Sequence, residues 1–315
     1  MTRRQPRSVR VFAPGAIGNI GPGLDILGMA VEGPGDTVEA TLTTERGITL
    51  RASGHPSLPP DADRHASSLA AREALRLGGA PRAGVALRVT KGLPLAGGQG
   101  GSAASAVAGA LATDRLLGLG LSERQLAEAA LCAETRLAGR HLDNILPILL
   151  GGIILIRSMD DWDYVRVPIP RGLRIVLAHP AQEFRTADGR AALPAALPRE
   201  VALHQAAQVG AMTLAFATGD LALLGRAIDD RIAEPARAPL LPGFVQAKRA
   251  ALRAGALGCS ISGSGPTAFA LSDGTAAANR IADAMRQAYR EAGLDVNARV
   301  TRVARRGARV LGTAS

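Results

Sequence analysis

The hydrophobic pattern of this chain changes period several times, and each change marks an element. Apolar runs rich in β-branched residues at 9–13, 37–42 and 85–89 are bounded by glycine and proline and predict strands. Residues 65–77 repeat their apolar positions at helical spacing, and the alanine-rich segment 102–117 does so more strongly. Ser122 and Gln125 have the spacing of a capping box, which opens a third helix that Gly139 closes. Strands at 153–156 and 164–167 follow. The pattern breaks between Pro168 and Gly172, so a first domain over 1–168 and a second over 169–315 are expected. The second half predicts a strand at 174–178, helices near 201–217, 221–228 and 244–254, and strands at 259–262 and 267–271. A helix over 276–292 and a last strand near 299–303 complete it. Helices and strands mix without strict alternation, which predicts an α+β fold and argues against a doubly wound sheet.

Composition narrows the class. A chain of 315 residues is long for one core, which favours two domains. With 47% hydrophobic and 20% charged residues it reads as globular and not disordered. The basic start is not followed by an apolar segment, so no signal peptide is expected. The longest apolar stretch, 145–156, is broken by Pro147 and by Gly151 and Gly152, and is too short to span a bilayer. A cytoplasmic location without a membrane partner is therefore expected. Cys132 and Cys259 lie outside any C-x-x-C pattern and read as reduced thiols, and the histidines show no zinc-ligand spacing. The net charge of +10 is almost entirely arginine spread along the chain, with Lys91 and Lys248 the only lysines. No aromatic residues interleave with basic ones as a stacking platform requires, so no nucleic-acid partner is expected.

Four segments carry chemistry. In the first, Pro94, Leu95, Ala96, Gly97, Gly98, Gln99, Gly100, Gly101, Ser102, Ala103, Ala104 and Ser105 form a glycine-rich loop that runs straight into a helix. Glycines allow backbone N–H groups to approach a ligand, and the helix start adds unpaired N–H groups and a positive dipole end, which together bind anions. The loop lacks the Gly-Lys-Ser/Thr of a Walker motif. A flexible turn before a helix is the competing reading of such a run. In the second, Glu134 falls within the apolar arc of its helix, among Leu126, Ala127, Ala130, Leu131, Ala133, Leu137 and Ala138. A carboxylate facing a core needs a cation, either an arginine or a Mg²⁺ ion beside the phosphates of ATP. In the third, a Gly-Pro-Gly turn directly after the first strand presents Asn19 and Asp25. The fourth, Ser262 to Pro266, reads as a tight connection between two short strands.

In this order and spacing the segments resemble the GHMP kinases, the superfamily of galactokinase, homoserine kinase, mevalonate kinase and phosphomevalonate kinase. Asn19-x-Gly-Pro-Gly-x-Asp25 has the form of the homoserine kinase branch. His141-x-Asp143-Asn144 followed by Pro147 and Gly151-Gly152 is similar to that branch's H-x-D-N-V-x-P and glycine pair. Thr186 and Arg190 with Leu193-Pro194, and Pro235-x-Arg237 leading to Leu241-Pro242, resemble two further stretches of it. The resemblance covers roughly residues 9–275, too much for one borrowed motif.

The resemblance implies a ribosomal-S5-like N-terminal domain and a ferredoxin-like C-terminal domain with ATP and substrate between them. By it, residues 94–105 cradle the triphosphate, and Ser102 and Glu134 hold Mg²⁺. Asn19, Asp25, Asn144, Thr186, Arg190 and Arg237 surround the amino acid, with Asp25 for its ammonium and the arginines for its carboxylate. Ser262 and Gly263 back the phosphate loop and the first motif. Glu134, Ser102, Asn144 and Asp143 make up the catalytic set, Asp143 lying near the position that mevalonate-type relatives use as a base. The implied activity is ATP-dependent phosphorylation of L-homoserine in threonine biosynthesis, by a homodimer. The alternatives are a GHMP kinase acting on another small alcohol, or a non-catalytic nucleotide- or nucleic-acid-binding protein on the same fold. The chain departs from the family's G-x-G-L-G-S-S-A-A at Ala96, Gln99 and Gly101, and carries Ala16 and Gly18 where Ser or Thr and Ala are common.

Overall fold

Backbone pairing in the computed structural model, which describes residues 6–314, divides the strands between two sheets. β1 (Ser8–Gly18) and β2 (Leu27–Thr43) pair antiparallel, with Val9 opposite Ala40 and Val11 opposite Val38, all fully buried on one face. β3 (Gly47–Ser53) and β4 (Gly84–Thr90) pair in parallel, a geometry that needs a crossover; α1 (Ala66–Leu77) supplies it. α2 (Gly101–Leu117) and α3 (Glu123–Leu137) pack with α1 over the sheet, followed by the short α4 (Ile145–Leu150). β5 (Ile153–Ser158) then joins β2, and β6 (Asp163–Val167) joins β5.

The second half begins with β7 (Leu173–Pro180) and runs through α5 (Thr186–Ala191), α6 (Arg199–Thr218), α7 (Leu221–Ala227), α8 (Ala233–Arg237) and α9 (Phe244–Arg253). β8 (Gly258–Ile261), β9 (Ala268–Asp273), α10 (Thr275–Glu291) and β10 (Val296–Thr301) follow. The sheet order β10-β7-β9-β8 with helices between β7 and β8 and between β9 and β10 is the ferredoxin-like winding. The expected α+β architecture is present. β11 (Arg309–Ala314) leaves this half and pairs antiparallel with β1. Residues 309–314 thus lie in the first sheet, although they fall within the second of the domains expected from the sequence. Every residue of β11 is exposed, so no buried period announces the strand.

The two halves share a core. Ile17, Ile20, Leu27 and Met29 of the first pack with Ile175, Leu177, Phe216 and Phe269 of the second. Full burial of such a side chain contributes about 1.5–3 kcal/mol, so this cluster fixes the loop between β1 and β2 against the second sheet. Among the described residues both cysteines are free, and burial pushes the Cys259 thiol up to about 12. No helix among them is long and apolar enough to cross a membrane.

Candidate active site

A cleft between the halves gathers the sequence-predicted residues. Its glycine-loop wall is shaped by backbone conformation: Ala96, Gly98 and Gly100 all have positive φ, at 48°, 70° and 67°. A side chain at Gly98 would run into the carbonyl oxygens of Ser262 and Gly265, 2.5 and 2.6 Å from its Cβ, so only glycine lets these segments touch. Gly100 is the N-cap of α2 in the left-handed conformation with no side-chain cap, which leaves the first N–H groups of α2 open to a ligand. Ser262 Oγ donates to Gly98 O at 2.6 Å, and Thr267 Oγ1 donates to Gly97 O, so the second sheet braces the loop from behind. Residues 94–98 and 100–103 line the cleft. Gln99, Ala104, Ser105 and Ser262 do not: all are buried behind it.

Ser105 instead joins a network under the start of α2. Its hydroxyl donates to Asp36 at 2.6 Å, and the Lys91 ammonium pairs with Asp36 and donates to Gly101 O at 2.7 Å. Asp36 also accepts from the backbone N–H groups of Gly92 and Leu93 at 3.2 and 3.3 Å, which fixes the entry to the loop.

Glu134 projects from α3, whose start is held by the predicted capping box of Ser122 and Gln125. It is 3% exposed, and its Oε1 has no hydrogen-bond partner. Burial pushes its carboxyl up, opposed by the Ser102 hydroxyl, His141 and Lys91 and reinforced by Asp143. No arginine pairs with it among the described residues, so the buried Glu–Arg pair that the sequence left open is not formed. An orphaned buried carboxylate oxygen beside a serine hydroxyl, at the mouth of an anion-binding loop, fits a hard divalent cation.

The rest of the cleft is built mainly from side chains. Asn19 accepts the Asp25 N–H at 3.1 Å through Oδ1, donates through Nδ2 to Gly263 O at 3.1 Å, and donates its own N–H to Asp143 Oδ2 at 3.1 Å. Asp143 is fully enclosed; a Cβ at Gly18 would lie 2.3 Å from its Oδ2, so the glycine there makes room for the carboxylate. Burial raises the Asp143 carboxyl, with His141 and Arg190 opposing and Asp25 adding to the rise. Asp25 and Arg190, expected as separate partners for the two charges of a ligand, are bound to each other. Arg190 donates to both carboxylate oxygens, at 2.7 and 3.2 Å. The Arg237 guanidinium is 2% exposed and donates to the carbonyls of Gly189 and Gly263 at 3.0 and 2.9 Å. Among the described residues no carboxylate pairs with it directly, and burial, then Arg190, pull it below the ordinary guanidinium range. Thr186 at the start of α5, Asn144 at the N-cap of α4, and Gly263 complete this wall.

Leu58, Pro59, Arg64, His65 and Lys91 also line the cleft and were not picked out as site residues from the sequence, and His141, quoted there only as part of a motif, lines it too. Lys91 carries a signal in retrospect, one of two lysines in an arginine-rich chain and placed directly before the glycine loop. His65 caps α1 by accepting the Ser67 N–H at 3.2 Å, and burial lowers its pKa to about 4. Nothing in the 58–65 pattern marks it.

A family model described as GHMP kinases N terminal domain matches residues 65–152, and one described as GHMP kinases C terminal matches 212–291. The chain is 39% identical to a homoserine kinase of Chlorobium phaeobacteroides over 97% of this chain and 100% of that protein. It is 38% identical to a homoserine kinase of Arabidopsis thaliana over 98% of this chain and 86% of that one. The crystal structure of homoserine kinase from Cytophaga hutchinsonii superposes with a TM-score of 0.93 at 38% identity, covering 99% of both chains. The chain belongs to the GHMP kinases and, among them, to the homoserine kinases.

Proposed function

We propose that this chain transfers the γ-phosphoryl group of ATP to the side-chain hydroxyl of L-homoserine, giving O-phospho-L-homoserine for threonine biosynthesis. The observation that carries the reading is the division of one cleft into a glycine loop beside a buried carboxylate with an orphaned oxygen and, elsewhere in it, an array of two guanidiniums and a carboxylate. Phosphoryl transfer asks mainly for positioning and charge neutralisation, and the cleft offers both. The N–H groups of the loop and of the first turn of α2 receive the phosphates, backed by the Lys91 ammonium. Glu134 and Ser102 are the residues that would hold Mg²⁺. When bound, the ion would neutralise phosphate oxygens while the charge redistributes.

Arg237, a buried cation that donates to the carbonyl oxygens of Gly189 and Gly263, supports a carboxylate ligand at that end. Arg190 adds a second guanidinium, Asp25 receives the ammonium, and Asn19, Asn144 and Thr186 supply the neutral bonds. Ser262 acts from behind, through the loop, and Gly263 on the wall holds Asn19 and Arg237 through its carbonyl. Asp143 is engaged by the Asn19 N–H and serves as a positioning group, with no general base assigned to the hydroxyl. The two domains divide near residue 168, with β11 returning to the first. The cytoplasm is the compartment proposed. A homodimer is supported by the outer face of α6, where Leu203 and Leu214 are exposed on either side of the unobstructed Gly210.

An ADP-release assay with homoserine, mevalonate, galactose and threonine tests the assignment. Release driven by homoserine and by none of the others is expected. Release driven by another alcohol, or none at all, would overturn it.

A further inference from the structure

Gln99 belongs to the glycine loop by sequence, yet its side chain is buried away from the cleft. Its Oε1 accepts from Arg299 Nη2 at 3.2 Å, and its Nε2 donates to Thr267 Oγ1 at 3.2 Å. Its backbone carbonyl accepts the Ala16 N–H at 3.1 Å. One residue thereby ties the loop to β1 of the first sheet, to β10 of the second and to the approach to β9. The Thr267 hydroxyl passes on to Gly97 O, so the bracket closes on the loop itself.

Arg299 reaches across from β10 because Gly33 has no side chain. A Cβ there would lie 2.8 Å from Nη1, the nitrogen that donates to Glu32 O at 2.8 Å. Among the described residues no carboxylate pairs with Arg299; its charge rests on the Glu32 carbonyl and the Gln99 amide. A hydrogen bond from a charged donor is about twice as strong as a neutral one, so the Gln99 side chain is held more firmly than a loop amide on its own.

We propose that Gln99, clamped by Arg299, is a positioning residue for nucleotide binding. It holds residues 97–100 so that their N–H groups and the first turn of α2 face the triphosphate, and it makes that arrangement depend on the contact between the two sheets. The proposal rests on the reading of this loop as the phosphate cradle.

Titration calorimetry with a non-hydrolysable ATP analogue and Mg²⁺, and separately with homoserine, tests it on the parent, Gln99→Leu, Arg299→Leu and the double variant. Each single change should weaken nucleotide binding about tenfold, the scale of one hydrogen bond to a charged group. The double variant should lose less than the product of the two singles, because both remove the shared Gln99–Arg299 contact while each also loses one bond of its own. Homoserine affinity should stay near the parent's, and in turnover the loss should fall on KM for ATP. Unchanged nucleotide affinity, losses that multiply in the double, or a parallel fall in homoserine binding would overturn the proposal. Should the leucine variants fail to fold, Gln99→Met and Arg299→Met carry the same comparison. Failure of the parent to bind nucleotide removes the cradle and the bracket together; binding by the parent with unchanged variants removes the bracket alone.

Discussion

The two ends of the cleft are made by different means. At the phosphate end the contacting surface is contiguous in sequence and largely backbone, with positive φ at Gly98 and Gly100 and an uncapped helix start. At the other end it is side chains drawn from four segments, 19–25, 143–144, 186–190 and 237, and the Asp25–Arg190 pair alone joins residues 165 apart in sequence. The backbone end is ready before a ligand arrives, since N–H groups fixed by chain geometry need no rearrangement. The side-chain end is satisfied internally, because Asp25 and Arg190 neutralise each other. A ligand that brings one charge would leave half of that pair exposed to a partly buried site, whereas a zwitterion replaces both halves at once. On the function proposed above, the pairing is thus itself a filter for amino acids.

The sharpest way to break this comparison is at the loop end, at Glu134, whose buried Oε1 has no hydrogen-bond partner. Glu134→Gln should lower kcat by about 10²-fold or more, the scale of removing one electrostatic stabiliser. Its melting temperature should hold or rise, because a buried charge has been removed. A variant that melts early yet turns over normally would make Glu134 a purely structural group.

At the other end, Arg237→Lys and Arg190→Lys keep the charge and lose the planar fork. Hydrogen bonds to charged groups contribute about 1.5–3 kcal/mol, so each change should cost about 10- to 150-fold in kcat/KM for homoserine. KM for ATP should stay nearly constant. Arg237→Lys should also lower the melting temperature, since a lysine cannot hold both the Gly189 and Gly263 carbonyls. Homoserine binding equal to the parent's in both variants would end the idea of a charge-matched acceptor site.

The same contrast explains what was legible in the sequence. The glycine loop, the capping box at Ser122 and the apolar setting of Glu134 are local patterns, and they stand where the spacing places them. The pairing of Asp25 with Arg190 was not legible, because nothing in either segment specifies the other; the interlobe core sets their distance. The segment 309–314 was missed for the related reason that an edge strand exposed on both faces shows no period. β3, α4, α5 and α8 also escaped, the helices being only five or six residues long and too short for a helical period to show. Gln99 was read as a departure within the loop, and its bond to Arg299 spans 200 residues. Resemblance to a family supplied the substrate-side residues that periodicity alone could not.

A smaller effect is expected where the two ends meet. Asp143 accepts the Asn19 N–H and also lies near Glu134, so it touches both walls. If it is a positioning group, Asp143→Asn should cost about tenfold in kcat/KM, one charged hydrogen bond, and leave the shape of the pH–rate profile intact. A collapse of kcat with the loss of a titrating limb would instead make Asp143 the general base.

The smallest effect on turnover tests whether the phosphate end depends on backbone geometry more than on the chemistry of its side chains. His65 lies on this wall and caps α1 through Nδ1, and burial lowers its pKa from 6.5 to about 4. The folded chain therefore resists a proton that the unfolded chain accepts. Stability is fully present above pH 6.5, and is lost as the pH falls from there toward 4, by ~3 kcal/mol in total. Asparagine is also a good N-cap, so His65→Asn should keep the Ser67 N–H satisfied while removing the titration. Denaturant unfolding across this pH range should show a flatter acid decline in the variant, with stability at neutral pH close to the parent's. Turnover at neutral pH should change little, because the α1 cap and the loop backbone are preserved. An acid decline as steep as the parent's would place the proton on another group, and a large loss of turnover at neutral pH would show that the imidazole itself acts in the cleft.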